Sequence, residues 1–401
     1  MRVELRKGQS LLLKGPASAS LESGSAEVFG HRLKRGENVV VKPWKTLPLT
    51  SLEDSSFELN LGTGSAYELL DFDPVPDSWK RLADSLGERF RVMVMGRVDA
   101  GKTSILLTLL NRTISSCEVF FVDLDVGQGE ICPPTTMGYA RARSSTYTLY
   151  SLRAEAIYAF GFTSPSWYVG RSIEVAEQVL RNLQSAERVL IDVDGWIEGD
   201  DALEHKLNLI QKVRPTHVLL LGVGPAQELE GLLTSVGAEL IVLERPETVA
   251  VRSREERRRA REMRISSVFR DSSVRQLVKN WLRYSTVYSD LYIDDPESYF
   301  DEALLDAERH GIDAAIATHD ELDVSPNLRR AEVGLLSYVL DDEFRVQALA
   351  LLKGVARFGN TIRVLTSHKE TIKHLKLGAV ILSSDYQELH VFRSSERWRS
   401  R

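Results

Sequence analysis

Cysteine is nearly missing from this sequence. The 401-residue chain has two, Cys117 and Cys132, with no CxxC pattern, which excludes a disulfide-stapled scaffold and a cysteine-ligated zinc knuckle. Long apolar runs are missing too. Stretches such as Val218 to Val223 fall far short of the roughly 18 to 20 residues that cross a bilayer, and the opening MRVELRKGQS has no signal-like apolar core. The expectation is a soluble, cytoplasmic protein without membrane contact. The eight histidines are scattered, with no ligand spacing or local acid partner, and no Ser-His-Asp set stands out. There is no excess of positive charge either. At a net charge of −6, any contact with a polyanion has to come from a local basic cluster. What remains is ordinary globular composition, 43% hydrophobic and 27% charged, which excludes bulk disorder. On a soft prior of ~150 residues per domain, the length implies two or three domains.

Residues 1–75 carry short alternating stretches, Ser10 to Leu13, Ala26 to Phe29, Asn38 to Val41 and Ser56 to Leu61, separated by glycine turns; this pattern predicts a β-rich N-terminal domain. Pro74 and Pro76 then lead into a helical segment, Ser78 to Leu86, as a linker. From Arg91 compact apolar runs (Val92 to Met95, Val119 to Val122, Val189 to Val193, His217 to Leu221, Leu240 to Leu243) alternate with amphipathic stretches, which implies a parallel sheet covered by helices on both faces. The expected fold is α/β: a central P-loop domain over 76–289, flanked by the N-terminal domain and a small α+β or β domain over 290–401.

Gly96-Arg97-Val98-Asp99-Ala100-Gly101-Lys102-Thr103, followed by Ser104, fits G-x-x-x-x-G-K-[ST] between a predicted strand and a predicted helix. In such a loop the glycines let backbone N–H groups wrap phosphates. The lysine reaches the β and γ phosphates and the threonine hydroxyl ligates magnesium. About twenty residues on, the strand ending in Asp123-Leu124-Asp125 brings carboxylates to the sheet edge where ligands bind; they can hold Mg2+ or accept a proton from an attacking hydroxyl. Asp123 and Asp125 point the same way if both lie on the strand, and the pattern does not choose between them. A nucleotide site alone leaves ATPase, GTPase and kinase open. The lack of an N-K-x-D segment disfavours a GTPase.

Taken together, GRVDAGKTS, DLDVGQGEICPPTTMG (Asp123 to Gly138), GFTSP (Gly161 to Pro165), DVDGW (Asp192 to Trp196) and VRSREERRRAREMRI (Val251 to Ile265) resemble the polyribonucleotide 5'-hydroxyl kinase family, which includes the kinase subunit of the eukaryotic pre-mRNA cleavage machinery and its archaeal relatives. That resemblance implies transfer of the γ-phosphoryl group of ATP, with Mg2+, to the 5'-hydroxyl of RNA, with DNA as a further acceptor and RNA-processing proteins as partners. It implies Lys102 and Thr103 on the triphosphate and metal, Asp125 as the base, and Asp123 and Gln128 ordering the metal and its waters. Trp196, beside Gly195, matches a residue that stacks on a terminal base of the substrate. Arg252 and Arg257 match lid arginines that engage the phosphates, and Arg261 is a weaker candidate. If helical, the segment aligns Arg254, Arg257, Arg261 and Arg264 in one stripe. The sequence departs from the family at Val193, where a small hydroxyl residue is usual; this removes a side-chain hydrogen bond to the substrate phosphate and leaves backbone N–H groups to serve. Two other readings compete: a non-catalytic ATP-binding scaffold in an RNA-processing complex, and a P-loop ATPase coupled to motion. The first could afford to lose Asp125, Arg252 or Arg257, all of which are present.

Overall fold

The computed structural model describes residues 1–114, 117–222, 224–246, 248, 251–312, 333–356, 359–394 and 398. The chain divides into two compact units, one made of residues 1–125, 139–155 and 180–260, the other of 126–138, 156–179 and 261–401. Among the described residues no helix is long and apolar enough to cross a membrane.

In the first unit the N-terminal strands form two sheets. Arg2–Leu5, Ser55–Leu61, Ala17–Ser23 and Asn38–Val41 make an antiparallel four-stranded one. His31–Arg32, Ala26–Val28, Thr46–Ser51, Ser10–Lys14 and Ala66–Leu70 make the second. The period-two alternation has its expected result, since Ala19, Val39, Phe57, Leu11 and Leu13 are fully buried. The linker helix Asp77–Ser85 buries Trp79, Leu82 and Ala83 on one face.

Five parallel strands follow, in the order Val119–Asp123, Arg188–Asp192, Phe90–Gly96, His217–Leu221 and Glu239–Leu243. Their apolar runs are continuous where both faces are covered; Val92, Met93, Val94 and Met95 are all fully buried, whereas the end strand Glu239–Leu243 leaves Val242 exposed. Phe90–Gly96 lies between Arg188–Asp192 and His217–Leu221, while the next strand in sequence, Val119–Asp123, lies one strand further out on the first side; the connections after Phe90–Gly96 thus run first to one side and later to the other, and the order reverses there. A crevice opens at the carboxyl ends of strands around such a point, and the glycine-rich loop starts at that place. Helix Asp200–Val213 buries Ala202, His205, Lys206, Leu209, Ile210 and Val213. This is one apolar stripe at helical spacing, and it carries an imidazole and an ammonium inward.

The second unit holds a mixed sheet in which Ser273–Val278, Thr361–Thr366, Val346–Val355, Val333–Leu340, His374–Ser383, Arg283–Thr286 and Ser289–Ile293 are neighbours in turn, with Glu388–Val391 paired to His374–Ser383. Helix Pro296–Arg309, capped by Asp295 accepting from Ser298 N at 3.0 Å, buries Tyr299, Phe300, Ala303, Leu304 and Ala307. The arrangement is α+β. The division expected between residues 289 and 290 falls inside this sheet, because the strands over 273–286 find partners some ninety residues later in the chain.

Candidate active site

Gly96 and Gly101 both have positive φ, 155° and 96°. At Gly96 an added Cβ would lie 3.0 Å from the carbonyl oxygen of Leu221 and 3.3 Å from Ala100, so glycine lets the loop turn back against the neighbouring strand. Helix Lys102–Thr113 starts at Gly101 with no side-chain cap, leaving its first-turn N–H groups to face an anion. Lys102 is buried, and its Nζ donates to the carbonyls of Gly96 and Arg97 at 3.2 Å each.

The Thr103 hydroxyl donates to Asp192 Oδ2 at 2.8 Å. The other oxygen of Asp192 is buried with no hydrogen-bond partner. Burial, reinforced by the nearby carboxylates of Asp125 and Asp123 against the opposing charge of Lys102, pushes the Asp192 carboxyl up to about 8. Asp123 is fully buried and pairs in register with Asp192 across neighbouring strands. Asp125 does not share that strand, which ends at Asp123; instead its N–H donates to Asp123 Oδ1 at 3.3 Å. The condition for a common direction is therefore not met. The acids still interact, because the chain end brings all three to one sheet edge. Gln128 belongs to the second unit, where its side chain donates to Gly127 O at 2.8 Å.

Beyond Asp192 the chain turns. Asp194 accepts from Lys206 Nζ at 2.5 Å and from Trp196 N at 2.9 Å. Burial opposes its charge, but Lys206 and His205 outweigh that and hold the carboxyl below its usual range. Trp196 is half-buried and stacks on His205 with ring centroids 5.7 Å apart. His205 is pushed down to about 4, first by burial and then by the charge of Lys206, so it is a neutral ring at neutral pH. A Cβ on Gly195 would meet Val98 N and Cγ2 at 2.6 Å; this glycine lets the phosphate loop lie directly against the Trp196 segment. The Val193 side chain is fully buried.

The arginine-rich segment forms helix Arg254–Val268. A reciprocal cap starts it: Ser253 Oγ accepts from Glu256 N at 3.1 Å while Glu256 accepts from Ser253 N at 2.7 Å. Arg252 donates to Asp99 from its backbone N, Nε and Nη2 at 3.0, 3.0 and 2.7 Å, and Arg257 Nη1 adds a contact at 3.3 Å. Asp99 is a loop residue with φ of 57°. Burial raises its pKa, yet the two arginines win and the carboxyl is held below its ordinary value. The other arginines of the expected stripe go elsewhere. Arg254 is exposed, Arg261 pairs with Glu388 at 2.6 and 2.8 Å, and Arg264 donates to Cys132 O at 2.6 Å. Arg97 reaches Glu198 at the surface.

Sequence reasoning missed Asp192 among the acids at this sheet edge, the Lys206–Asp194 pair, and Asp99 as the acceptor for Arg252 and Arg257. The signal for Asp192 was available: it ends an apolar strand just as Asp123 does. Asp99 had no signal, since its partners lie 153 and 158 residues away.

Residues 96–271 match the family model for the mRNA cleavage and polyadenylation factor CLP1 P-loop. This segment is similar to the CLP1 P-loop family. The matched segment runs from Gly96, at the start of the phosphate loop, to just past the end of the arginine helix. Among curated relatives, the polyribonucleotide 5'-hydroxyl-kinase of Pyrococcus furiosus is 28% identical over 328 residues, covering 77% of this chain and 92% of that protein. The kinase of the same name from Thermococcus kodakarensis is 32% identical over 50% of this chain and 58% of its own length. Among solved structures, wild-type Clp1p in complex with Pcf11p (454–563) superposes with a TM-score of 0.67 at 13% identity, over 94% of this chain and 97% of that one. The CLP1-type fold thus extends well beyond the matched P-loop segment.

Proposed function

We propose that this protein is an ATP-dependent polynucleotide 5'-hydroxyl kinase that moves the γ-phosphoryl group onto the 5'-hydroxyl of RNA. The observation carrying the residue assignments is that Arg252 and Arg257 rest on the phosphate loop itself, at Asp99, beside a sheet edge that collects three carboxylates. Arginines held at the phosphate loop and acids gathered near its threonine suit in-line transfer better than nucleotide storage.

In this reading the first-turn amides of the Lys102–Thr113 helix and Lys102 hold the triphosphate. Asp125 takes the proton of the attacking 5'-hydroxyl. The bond from the γ phosphorus to the β–γ bridging oxygen breaks as the new phosphorus–oxygen bond forms, and ADP leaves. Arg252 and Arg257 leave Asp99 to stabilise the equatorial charge, a contribution worth about 10³–10⁵ in rate where such arginines are supplied. Trp196, braced by His205, offers its ring face to the terminal base, which suits an enzyme that accepts an end without reading sequence.

The donor set also fits a magnesium ion. Thr103 Oγ1, the unpartnered Asp192 oxygen and the Asp123 and Asp125 carboxylates are hard oxygen donors, and a buried acid with one oxygen left without a hydrogen bond is the environment such a cation relieves. When bound there, Mg2+ supplies charge neutralisation of the phosphates.

The test is incubation of the purified protein with γ-labelled ATP or GTP and 5'-hydroxyl RNA or DNA oligonucleotides, with Lys102→Ala as the inactive control. Labelled RNA is expected only from the unsubstituted protein. Folded protein that hydrolyses ATP without labelling RNA would reject the kinase assignment in favour of a motion-coupled ATPase.

A further inference from the structure

The second unit places three metal-capable side chains together, far along the sequence from the nucleotide site. Asp306 and His310 stand four residues apart at the end of helix Pro296–Arg309, on one helix face, a local acid–histidine spacing that the sequence reading passed over. His390 arrives from the strand Glu388–Val391, 84 residues after Asp306. His390 Nε2 lies 2.7 Å from Asp306 Oδ2, and His310 Nδ1 lies 3.8 Å from Asp306 Oδ1, so each carboxylate oxygen meets a different imidazole. The two rings stack with centroids 4.8 Å apart. One ligating atom from each of the three residues falls within 4.8 Å of the others. We propose that Asp306, His310 and His390 bind a divalent cation of the zinc class.

Ion pairing alone explains this cluster poorly. Among the described residues the ionic partners of Asp306 are these two imidazoles, with no lysine or arginine. Protonating both rings to satisfy both oxygens would stack two like charges face to face. A bound ion would instead replace the proton that His390 Nε2 shares with Asp306. His310 Nδ1 also lies 2.8 Å from the Asp306 main-chain oxygen, a contact that a small turn of this exposed ring exchanges for the ion. Donors about 2.1 Å from a tetrahedral ion stand about 3.4 Å from one another, so the cluster needs only small side-chain rotations to close on one. His310 is 62% exposed at its side chain and free to turn, whereas Asp306 and His390 are mostly covered. Two imidazoles and a carboxylate select zinc-like ions over magnesium or calcium and leave a position for water. The ion would tie the helix end to a strand that pairs with the sheet on one side only, across a register shift.

The experiment uses the full chain, stripped with chelator and dialysed. Co2+ is titrated while the visible ligand-field bands are recorded, and Zn2+ is then used to displace it. Saturation at one equivalent, displacement by Zn2+ but not by excess Mg2+, and a rise in melting temperature with Zn2+ are expected. His310→Ala removes an exposed ring, and Asp306→Asn keeps a hydrogen-bonding partner for His390, so both should fold. Each should weaken binding by more than the roughly 10- to 100-fold that loss of a merely orienting partner costs. Lys102→Ala should bind as tightly as the unsubstituted chain, which separates this site from the nucleotide site. Absence of saturable Co2+ bands, or undiminished binding by both His310→Ala and Asp306→Asn, overturns the proposal and leaves the cluster an ion-pair network.

Discussion

Asp99→Asn isolates the latch between the phosphate loop and its arginine lid. Asparagine keeps the left-handed backbone at this position, where φ is 57°, because it tolerates that region far better than alanine does. It also keeps an oxygen for the backbone N–H of Arg252, so what is lost is the charge that gathers two guanidiniums. A hydrogen bond to a charged group is worth about 1.5–3 kcal/mol. Arg252 and Arg257 remain 16% and 25% exposed, which argues for the lower end of that range. Taking about 1.4 kcal/mol, the open lid becomes about tenfold more populated. Limited trypsin digestion without nucleotide reads this directly, since cleavage tracks the population of the open form when closing is fast. The lid of Asp99→Asn is expected to be cut about tenfold faster. Its affinity for ATP should tighten by up to the same factor, because the arginines no longer have to leave a carboxylate to reach phosphate. With saturating ATP the two proteins should be equally protected. Equal digestion rates without nucleotide, or weaker ATP binding by the variant, would refute the latch.

Three further outcomes follow from the same region. Gly195→Ala would put a methyl group 2.6 Å from Val98 N, so the phosphate loop must shift, and ATP affinity measured by calorimetry should fall at least about tenfold while the melting temperature barely moves; native affinity would show that the loop has room to spare. Trp196→Ala should raise the KM for RNA by the roughly 1–3 kcal/mol of one base–aromatic stack, with ATP binding unaffected, and an unchanged KM would remove this residue from the acceptor path. His205 gives a pH signature. Its pKa falls from 6.5 to about 4 on folding, so between those values the unfolded chain holds a proton that the native state lacks. The stabilisation is complete above pH 6.5 and is lost as pH drops towards 4, by about 3 kcal/mol in all. Urea unfolding of His205→Gln should show a shallower acid-side loss than the unsubstituted chain; parallel curves would contradict a buried neutral ring.

Much of this site could be read in the sequence because its information is local. The phosphate loop needs its glycines within a few residues, and the apolar runs of the parallel strands announce their own burial. The N-terminal strands are legible for the same reason, as alternation is set by the pleat. Sites defined by distant charge were opaque. The arginine segment reads as a single stripe along its helix, but Arg257 pairs with Asp99 while Arg261 pairs with Glu388, and neither acid is near it in sequence. Whether Asp125 lies on the strand stayed open in the sequence because strand ends have no residue signature; the Val119–Asp123 strand stops at Asp123. Val193 reads as a lost ligand group, and its side chain is fully buried.

The contrast between Asp192 and Asp194 separates function from architecture within one segment. The two acids are two residues apart, so a continued strand would aim them alike. The strand ends at Asp192, and the turn that follows sends Asp194 to the buried Lys206 while Asp192 stays beside Asp123, Asp125 and Thr103. One carboxylate is therefore neutralised by its own chain. The other is crowded by like charges and keeps an oxygen without a partner, an arrangement that costs stability and is retained where a ligand relieves it. Amidation should then have opposite consequences. Asp194→Asn leaves Lys206 buried without a counter-charge, a loss of about 3–5 kcal/mol visible in thermal or urea unfolding. Asp192→Asn replaces an acid already pushed towards its neutral form, so the unliganded protein should be about as stable as before while phosphoryl transfer is lost. If Asp194→Asn proved the more stable and Asp192→Asn the more active of the pair, the division of labour drawn from burial and charge would be wrong.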